Sequence, residues 1–221
     1  MSKQQSTRKC YLCGEVVGRA AMTRHLSACS QLETSKSPTG KKQHDPSFHL
    51  FVAVRYARAY WMHLAVPATA PLSKLDNFLR DIWLECCGHL SAFEIDGVRY
   101  ASDRMDGEMS TRKPLRQVLD VGTKFFYEYD FASTTELELK VVALREQGTP
   151  KGAVQLLARN EPPQIICNEC AAQPATEICT ECAWDGEGWF CEACLAEHEC
   201  GDEMCLPVVN SPRVGVCGYT G

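Results

Sequence analysis

Paired cysteines are the feature that most constrains how this 221-residue chain can fold. It contains 14 cysteines, and most of them stand in pairs separated by two residues. In a reducing compartment such a density favours metal sites over disulfides, and disulfide frameworks do not require this spacing. Two thiolates at this spacing are typical of zinc-binding loops. We therefore expect metal-stabilised modules where the pairs concentrate.

The C-terminal segment, residues 161–221, holds three such pairs, followed by a histidine and a further cysteine. These eight groups suffice for two tetrahedral zinc ions. They are Cys167, Cys170, Cys179, Cys182, Cys191, Cys194, His198 and Cys200. Cys205 is an alternative to Cys200, and iron is an alternative to zinc at a four-thiolate site. The small core of this segment is predicted to be filled by Trp184, Trp189, Phe190 and Leu195.

This spacing resembles that of B-box and related cross-brace zinc domains, in which ligand pairs alternate between two metals. The resemblance implies one zinc on Cys167, Cys170, Cys191 and Cys194, and a second on Cys179, Cys182, His198 and Cys200. A sequential arrangement, with the first two pairs on one metal, remains open. Cross-brace domains usually recognise proteins, so the resemblance also implies a protein partner.

The N-terminal segment, residues 1–34, has the pattern C-x2-C-x11-H-x3-C. Its ligands would be Cys10, Cys13, His25 and Cys29, and the last two share one face of a helix because they are four residues apart. This spacing predicts a small zinc finger and brings the expected content to three zinc ions per chain. Candidate nucleic-acid contacts around the finger are Arg8, Lys9, Arg19 and Arg24. One finger contacts about 3 bp and seldom binds DNA alone, so a protein-binding finger is an equal alternative.

Charge divides the chain into three units. Residues 1–45 carry a net charge of +5, residues 46–160 are neutral, and residues 161–221 carry −10. The basic segment could attract nucleic acid, whereas the acidic segment should repel it. Residues 35–47 contain no bulky apolar side chain and predict a flexible linker between the finger and the middle.

Residues 48–160 predict one α+β domain with a mostly antiparallel sheet. Alternating apolar residues indicate strands at 60–66, 125–131 and 137–143, Asp96-Gly97 indicates a hairpin, and 154–157 is a candidate final strand. Residues 48–56 are apolar but ambiguous between helix and strand. A helical stripe from Leu75 to Cys86, capped by Ser73, predicts one main helix.

Three further predictions concern single residues or pairs in the middle unit and the tail. Alternation places Asp130 on the solvent face. Cys86 and Cys87 are interpreted as a buried pair at the helix end. Cys217, in the extended tail that follows the cysteine pairs, is interpreted as a packed thiol without a partner.

Three stretches of the middle are similar to a known family. They are Tyr60-Trp-Met-His-Leu64, the helix-to-strand stretch 75–93 with Cys86-Cys87-Gly88-His89, and Tyr127-Glu-Tyr-Asp-Phe131. These look like the Ri-plasmid open-reading-frame-three-like proteins, often described as transposon or insertion-element passenger proteins with a "TnpR" resolvase tag. The resemblance implies a small α+β fold, somewhat ubiquitin-like, and no established activity. Many members continue with Gly-Asp and then a Trp and a His, where this chain has Ala132-Ser-Thr-Thr-Glu136.

No catalytic constellation is apparent in the middle. It lacks a Walker loop, HExxH, G-x-S-x-G and the zinc-deaminase signature, and no serine stands within an arginine cluster. The resolvase description therefore finds no support in the residues. We expect a nonenzymatic adaptor or regulatory protein. The alternatives are a DNA-binding regulator acting through the finger and an enzyme with an unrecognised site in the middle.

The cellular location is predicted from two further patterns. No apolar run approaches the roughly 20 residues that a membrane helix needs. Residues 1–9 are polar and basic and do not form a secretory signal. We therefore expect a cytoplasmic protein without membrane contact.

Overall fold

A short hairpin and a helix form the N-terminal module. The computed structural model describes residues 7–29, 45–146, 149 and 152–221. Strand β1 (Thr7–Lys9) pairs antiparallel with β2 (Val16–Gly18), and helix α1 (Arg19–Ala28) follows directly. Met22 and Leu26 lie on the buried face of α1. Most of the predicted linker lies outside the described residues, and so do residues 1–6 and 30–34 of the predicted finger.

The middle of the chain forms an eight-stranded sheet in the order β10-β4-β3-β9-β8-β5-β6-β7. Every neighbouring pair is antiparallel except β6 with β7. The strands are β3 (Ser47–Val54), β4 (Trp61–Pro67), β5 (Ser91–Ile95), β6 (Val98–Ala101), β7 (Met109–Ser110), β8 (Lys124–Tyr129), β9 (Thr135–Arg145) and β10 (Gln155–Arg159).

The predicted α+β class is confirmed, but the sheet is larger than the small sheet expected. The ambiguous segment 48–56 supplies β3, which pairs with β4 on one side and β9 on the other. A strand buried on both faces reads as a continuous apolar run, which periodicity alone does not distinguish from a helix. The hairpin at Asp96-Gly97 forms with Ile95 opposite Val98, and both turn residues have positive φ, as a type I′ turn requires.

The main helix differs from its prediction at both ends. Helix α2 (Leu72–Leu79) begins after Pro71 and continues as one π-helical turn, Arg80–Leu84. Ser73 is not its cap, because loop carbonyls satisfy the first free N–H groups: Leu72 and Ser73 donate to Lys113 and Thr111. A single 3-10 turn, Leu115–Gln117, follows Pro114.

The two faces of the sheet are covered by different parts of the chain. Helix α2 packs into the main core, whereas the N-terminal module packs on the opposite side. There, Met22 and Leu26 share a buried cluster with Trp61 and Leu157. Backbone bonds reinforce this contact, since the amide of Tyr11 donates to the carbonyl of Leu157 at 2.9 Å. The N-terminal module is therefore held against the sheet.

A buried histidine pair lies where the module meets the sheet. Arg145 donates to Nδ1 of His49 at 3.1 Å, so the Nε2–H of His49 donates to Nδ1 of His63 at 2.9 Å. Burial, helped by the nearby arginine charge, lowers the pKa of His49 to about 2 and that of His63 to about 3. Both rings are therefore neutral in the folded protein at ordinary pH.

This pair predicts a loss of stability in mild acid. Unfolded histidines take up protons below a pH of about 6.5, whereas the folded pair does not until about 3. Stability is full above the unfolded pKa and should fall as the pH decreases, by about 1.4 kcal/mol per pH unit for each histidine. Urea midpoints at pH 7.5, 6.5 and 5.5 test this, with metal content measured in parallel. A His49→Leu/His63→Leu variant with the same pH slope would contradict it.

The C-terminal segment folds into a small three-stranded sheet of order β12-β11-β13. Its elements are β11 (Glu177–Cys179), a 3-10 turn (Cys182–Asp185), β12 (Trp189–Phe190), α3 (Glu192–Leu195), a second 3-10 turn (Asp202–Met204) and β13 (Cys205–Pro207). Phe190 is buried, but Trp184 is 89% exposed and does not join the predicted core. No helix of the described residues is long and apolar enough to cross a membrane.

The final residues return to the middle unit and dock on it. The Ser211 hydroxyl donates to the carbonyl of Trp83 at 2.6 Å. Arg213 is fully buried, and its guanidinium meets the Asp130 carboxylate at 3.0 Å. Burial acts to raise the pKa of Asp130. The hydrogen bonds that its carboxylate accepts from Arg213 and from the amides of Ala132 and Ser133 outweigh this effect and keep the pKa below its usual value.

The solvent-face prediction for Asp130 is therefore wrong. The chain turns at this residue, with φ of 62°, and alternation no longer applies.

Candidate metal centres

The four predicted ligands of the N-terminal module come together. Their ligand atoms lie within 4.8 Å of one another, and Cys13 Sγ stands 3.3 Å from His25 Nε2. Cys10 and Cys13 belong to the turn between β1 and β2, whereas His25 is in the last turn of α1 and Cys29 follows it. Gly14 closes the turn with φ of +80°, and its amide donates to the Cys10 carbonyl. Local geometry thus assembles this group.

The eight predicted ligands of the C-terminal segment form two groups of four. One contains Cys167, Cys170, Cys191 and Cys194, and the other contains Cys179, Cys182, His198 and Cys200. The pairs alternate between the groups, so the sequential arrangement is not formed. Cys205 belongs to neither group, and its thiol faces the carbonyl of Gly201.

Backbone amides favour thiolates in both C-terminal groups. At Cys167, burial acts to raise the pKa, but N–H groups of residues such as Cys170 and Cys191 outweigh it and hold the pKa at about 6. At Cys179, burial is outweighed in the same way by the amide of Cys182 and by His198, and the pKa is again about 6. Each group therefore holds a thiolate at neutral pH, the form that binds metal.

The donor atoms fit a tetrahedral ion. Zinc–sulfur bonds of about 2.3 Å place tetrahedral sulfur atoms about 3.8 Å apart. Cys170 and Cys191 are 3.9 Å apart, Cys182 and Cys200 are 3.8 Å apart, and Cys182 Sγ lies 3.6 Å from His198 Nε2. The all-cysteine group also suits iron. Each group fills four positions with protein atoms, which is typical of structural rather than catalytic sites.

A fourth group was not predicted from the sequence. The predictions of a buried Cys86-Cys87 pair and of a packed, unpartnered Cys217 are wrong, because Cys87 and Cys217 are exposed and their sulfur atoms lie 3.8 Å apart. Cys86, Cys87, His89 and Cys217 also place their ligand atoms within 4.8 Å of one another. The sequence offered two signals: adjacent cysteines followed by Gly-His, and one cysteine left without a partner. Neither signal identifies Cys217 as a ligand, because 130 residues separate it from Cys87.

The basic residues proposed for nucleic acid are not all free to bind it. Lys9 and Arg24 are exposed, and Arg8 is partly buried. Arg19 donates to the Arg58 carbonyl at 2.6 Å and its guanidinium lies 5.7 Å from the centre of the Trp61 ring. Arg19 thus contributes to holding the module on the sheet.

A polar cleft of about 640 Å³ lies in the middle unit. Hydroxyl groups and the cations Arg104, Arg112 and Lys113 line it, with Asp103 as its acidic residue, and neither histidine nor cysteine is among the lining residues. This lining offers no thiol or imidazole nucleophile.

Comparison with known proteins identifies the middle unit. The family model described as plasmid pRiA4b ORF-3-like protein matches residues 52–169, just over half of the chain. The chain belongs to the plasmid pRiA4b ORF-3-like family. In this family member the match spans most of the sheet and ends at the first cysteine pair of the C-terminal segment. The metal-ligand groups of the two ends therefore lie mostly outside it.

Part of this pRiA4b ORF-3-like protein aligns with the crystal structure of MM3350, a protein of unknown function from Methanosarcina mazei Go1. The two share 16% identity and a TM-score of 0.44, over 52% of this chain and 68% of the other. No curated protein matches the sequence.

Proposed function

We propose that this protein is a nonenzymatic adaptor or regulator whose end modules are built on zinc. One observation carries the proposal: each predicted ligand group closes four positions with cysteine and histidine, leaving none open for a substrate. The family description refers to a plasmid reading frame, which supports association with a mobile element. The many thiols of the protein suit a reducing compartment such as the cytoplasm.

A groove on the C-terminal module is the proposed binding surface. It has a volume of about 640 Å³ and is lined by apolar residues such as Trp184, Trp189 and Leu206, with Glu181 and Glu203 beside them. Trp184 is 89% exposed. An exposed tryptophan beside an apolar groove is a feature of protein-binding surfaces, because its large ring gains much from burial.

Charge indicates the class of partner. Residues 161–221 contain 11 acidic residues and a single basic one, Arg213, which is buried in its ion pair with Asp130. The surface of this segment therefore attracts cations and repels phosphates. The partner proposed for the groove is a basic peptide segment with one apolar anchor residue.

Peptide selection tests this proposal. A random peptide display library is selected against the full-length, metal-loaded protein, and enriched peptides are measured by fluorescence polarisation. We expect the enriched peptides to be basic and to carry an apolar anchor residue. Trp184→Ala should weaken their binding by about tenfold or more. Tyr56→Ala is the matched control, since Tyr56 is 79% exposed but does not line the groove.

Two results would overturn the binding surface. One is enrichment of acidic peptides, and the other is equal affinity of these peptides for wild type and Trp184→Ala.

DNA binding through the N-terminal module is the alternative function, carried by exposed residues such as Lys9 and Arg24. Salt-sensitive retardation of duplex DNA that is lost in Lys9→Glu/Arg24→Glu would favour it. For the enzymatic alternative, the polar cleft of the middle unit is one candidate site.

A further inference from the structure

We propose that Cys86, Cys87, His89 and Cys217 bind a fourth zinc ion, which clamps the end of the chain to the middle unit. The sulfur–sulfur distances match those of the predicted groups. Cys87 Sγ lies 3.8 Å from the sulfur atoms of both Cys86 and Cys217. His89 Nε2 lies 3.0 Å from Cys87 Sγ and 3.3 Å from Cys217 Sγ. The sulfur spacings equal the edge of about 3.8 Å expected for tetrahedral zinc.

Backbone geometry turns these residues toward one point. The π-helical turn Arg80–Leu84 ends immediately before the cysteines, and such turns often occur at functional sites. Gly88 has φ of +79°, which lets Cys87 and His89 face the same point across the turn. Cys217 itself has φ of +56°, a left-handed conformation that is unfavourable for a residue with a Cβ. A strained residue at a ligand position is consistent with a functional constraint.

A cationic side chain lies beside the group. Three thiolates and a neutral histidine around Zn²⁺ leave a net charge of −1. Arg213 Nη2 stands 3.4 Å from Cys86 Sγ and offsets part of this charge, and the same guanidinium is paired with the Asp130 carboxylate at 3.0 Å. The hydroxyl of Tyr129 approaches the same sulfur at 3.7 Å. Such outer partners orient and stabilise metal ligands.

The proposed ion differs in its role from the other three. Each of the predicted groups lies within one end module, whereas this one joins three residues that follow the helix end of the sheet domain to Cys217 near the end of the chain. The segment between Ser211 and Cys217 already docks through Arg213. A metal bond at Cys217 would anchor its far end. The proposal does not rest on the peptide groove, because it concerns metal content and chain anchoring.

Metal content is the direct test. Full-length protein is produced with added zinc, desalted, and analysed for metal per chain. We expect four zinc ions in the wild type, one for each group, and three in Cys217→Ser and in Cys87→Ser. Both altered thiols are exposed, so neither change should disturb the core. Cys205→Ser is the matched control and should retain four, because Cys205 belongs to no group.

A second measurement tests whether the metal site anchors the end of the chain. Hydrogen exchange of residues 214–221 should be faster in Cys217→Ser and Cys87→Ser than in the wild type, and unchanged in Cys205→Ser. A wild-type content of three zinc ions would overturn the proposal. Retention of the full wild-type content by both variants, or a disulfide between Cys87 and Cys217 in the purified protein, would overturn it as well.

Discussion

Removal of metal should unfold the C-terminal module while the eight-stranded sheet stays folded. The module consists of three short strands and a few helical turns, and three of its few buried residues, Cys167, Cys179 and Cys191, are ligands themselves. It therefore has little apolar core of its own. Structural zinc sites contribute about 10–16 kcal/mol of apparent binding energy, which is folding energy for such a module.

The sheet has a separate source of stability. Its main core contains more than 20 buried hydrophobic residues, including Trp83, Phe93 and Tyr127. Loss of the N-terminal module would expose only the cluster around Trp61 and Leu157 on the opposite face. We therefore expect partial destabilisation of the sheet, not its unfolding.

Hydrogen exchange before and after chelation tests this expectation. Amides of β11 and β13 should lose protection completely, those of β3 and β9 should keep most of theirs, and added zinc should restore the module. Within the module, Cys200→Ser should lose one metal and local protection, whereas Cys205→Ser should not. Unchanged protection of β11 in metal-free protein would contradict a metal-dependent fold.

Separating the buried charges of Arg213 and Asp130 should strongly destabilise the protein. The side chains of Arg213 and Asp130 are 0% and 3% exposed, and their contact joins residues 83 apart in sequence. Arg213→Met would leave the carboxylate buried with two backbone amides and the His89 ring as its remaining partners. Removal of one member of a buried ion pair costs about 3–5 kcal/mol, because the remaining charge stays desolvated.

Urea unfolding measures this cost with an internal comparison. Arg58→Met removes an exposed ion pair with Glu138, whose members are 50% and 31% exposed, and should leave the midpoint almost unchanged. The double variant Arg213→Met/Asp130→Asn should recover part of the loss, since no charge remains buried. Equal midpoints for Arg213→Met and Arg58→Met would show that the tail does not depend on this contact.

The sequence was most informative where structure depends on near neighbours. The ligand pairs of both end modules are set by tight turns and one helical turn, so their spacing could be recognised directly. Strands β8 and β9 and the hairpin at Asp96-Gly97 also followed from alternation and turn chemistry. The middle unit could be assigned to its family from the same stretch of residues.

Tertiary structure decided the features that join distant segments. Residues 48–56 became a central strand only because β4 and β9 offered pairing on both sides, and the sheet grew accordingly. Asp130 became buried because Arg213 arrives from the far end of the chain. The same docking brings Cys217 to Cys86, Cys87 and His89. Such contacts cannot be predicted from local spacing, since they depend on which surfaces the folded chain places side by side.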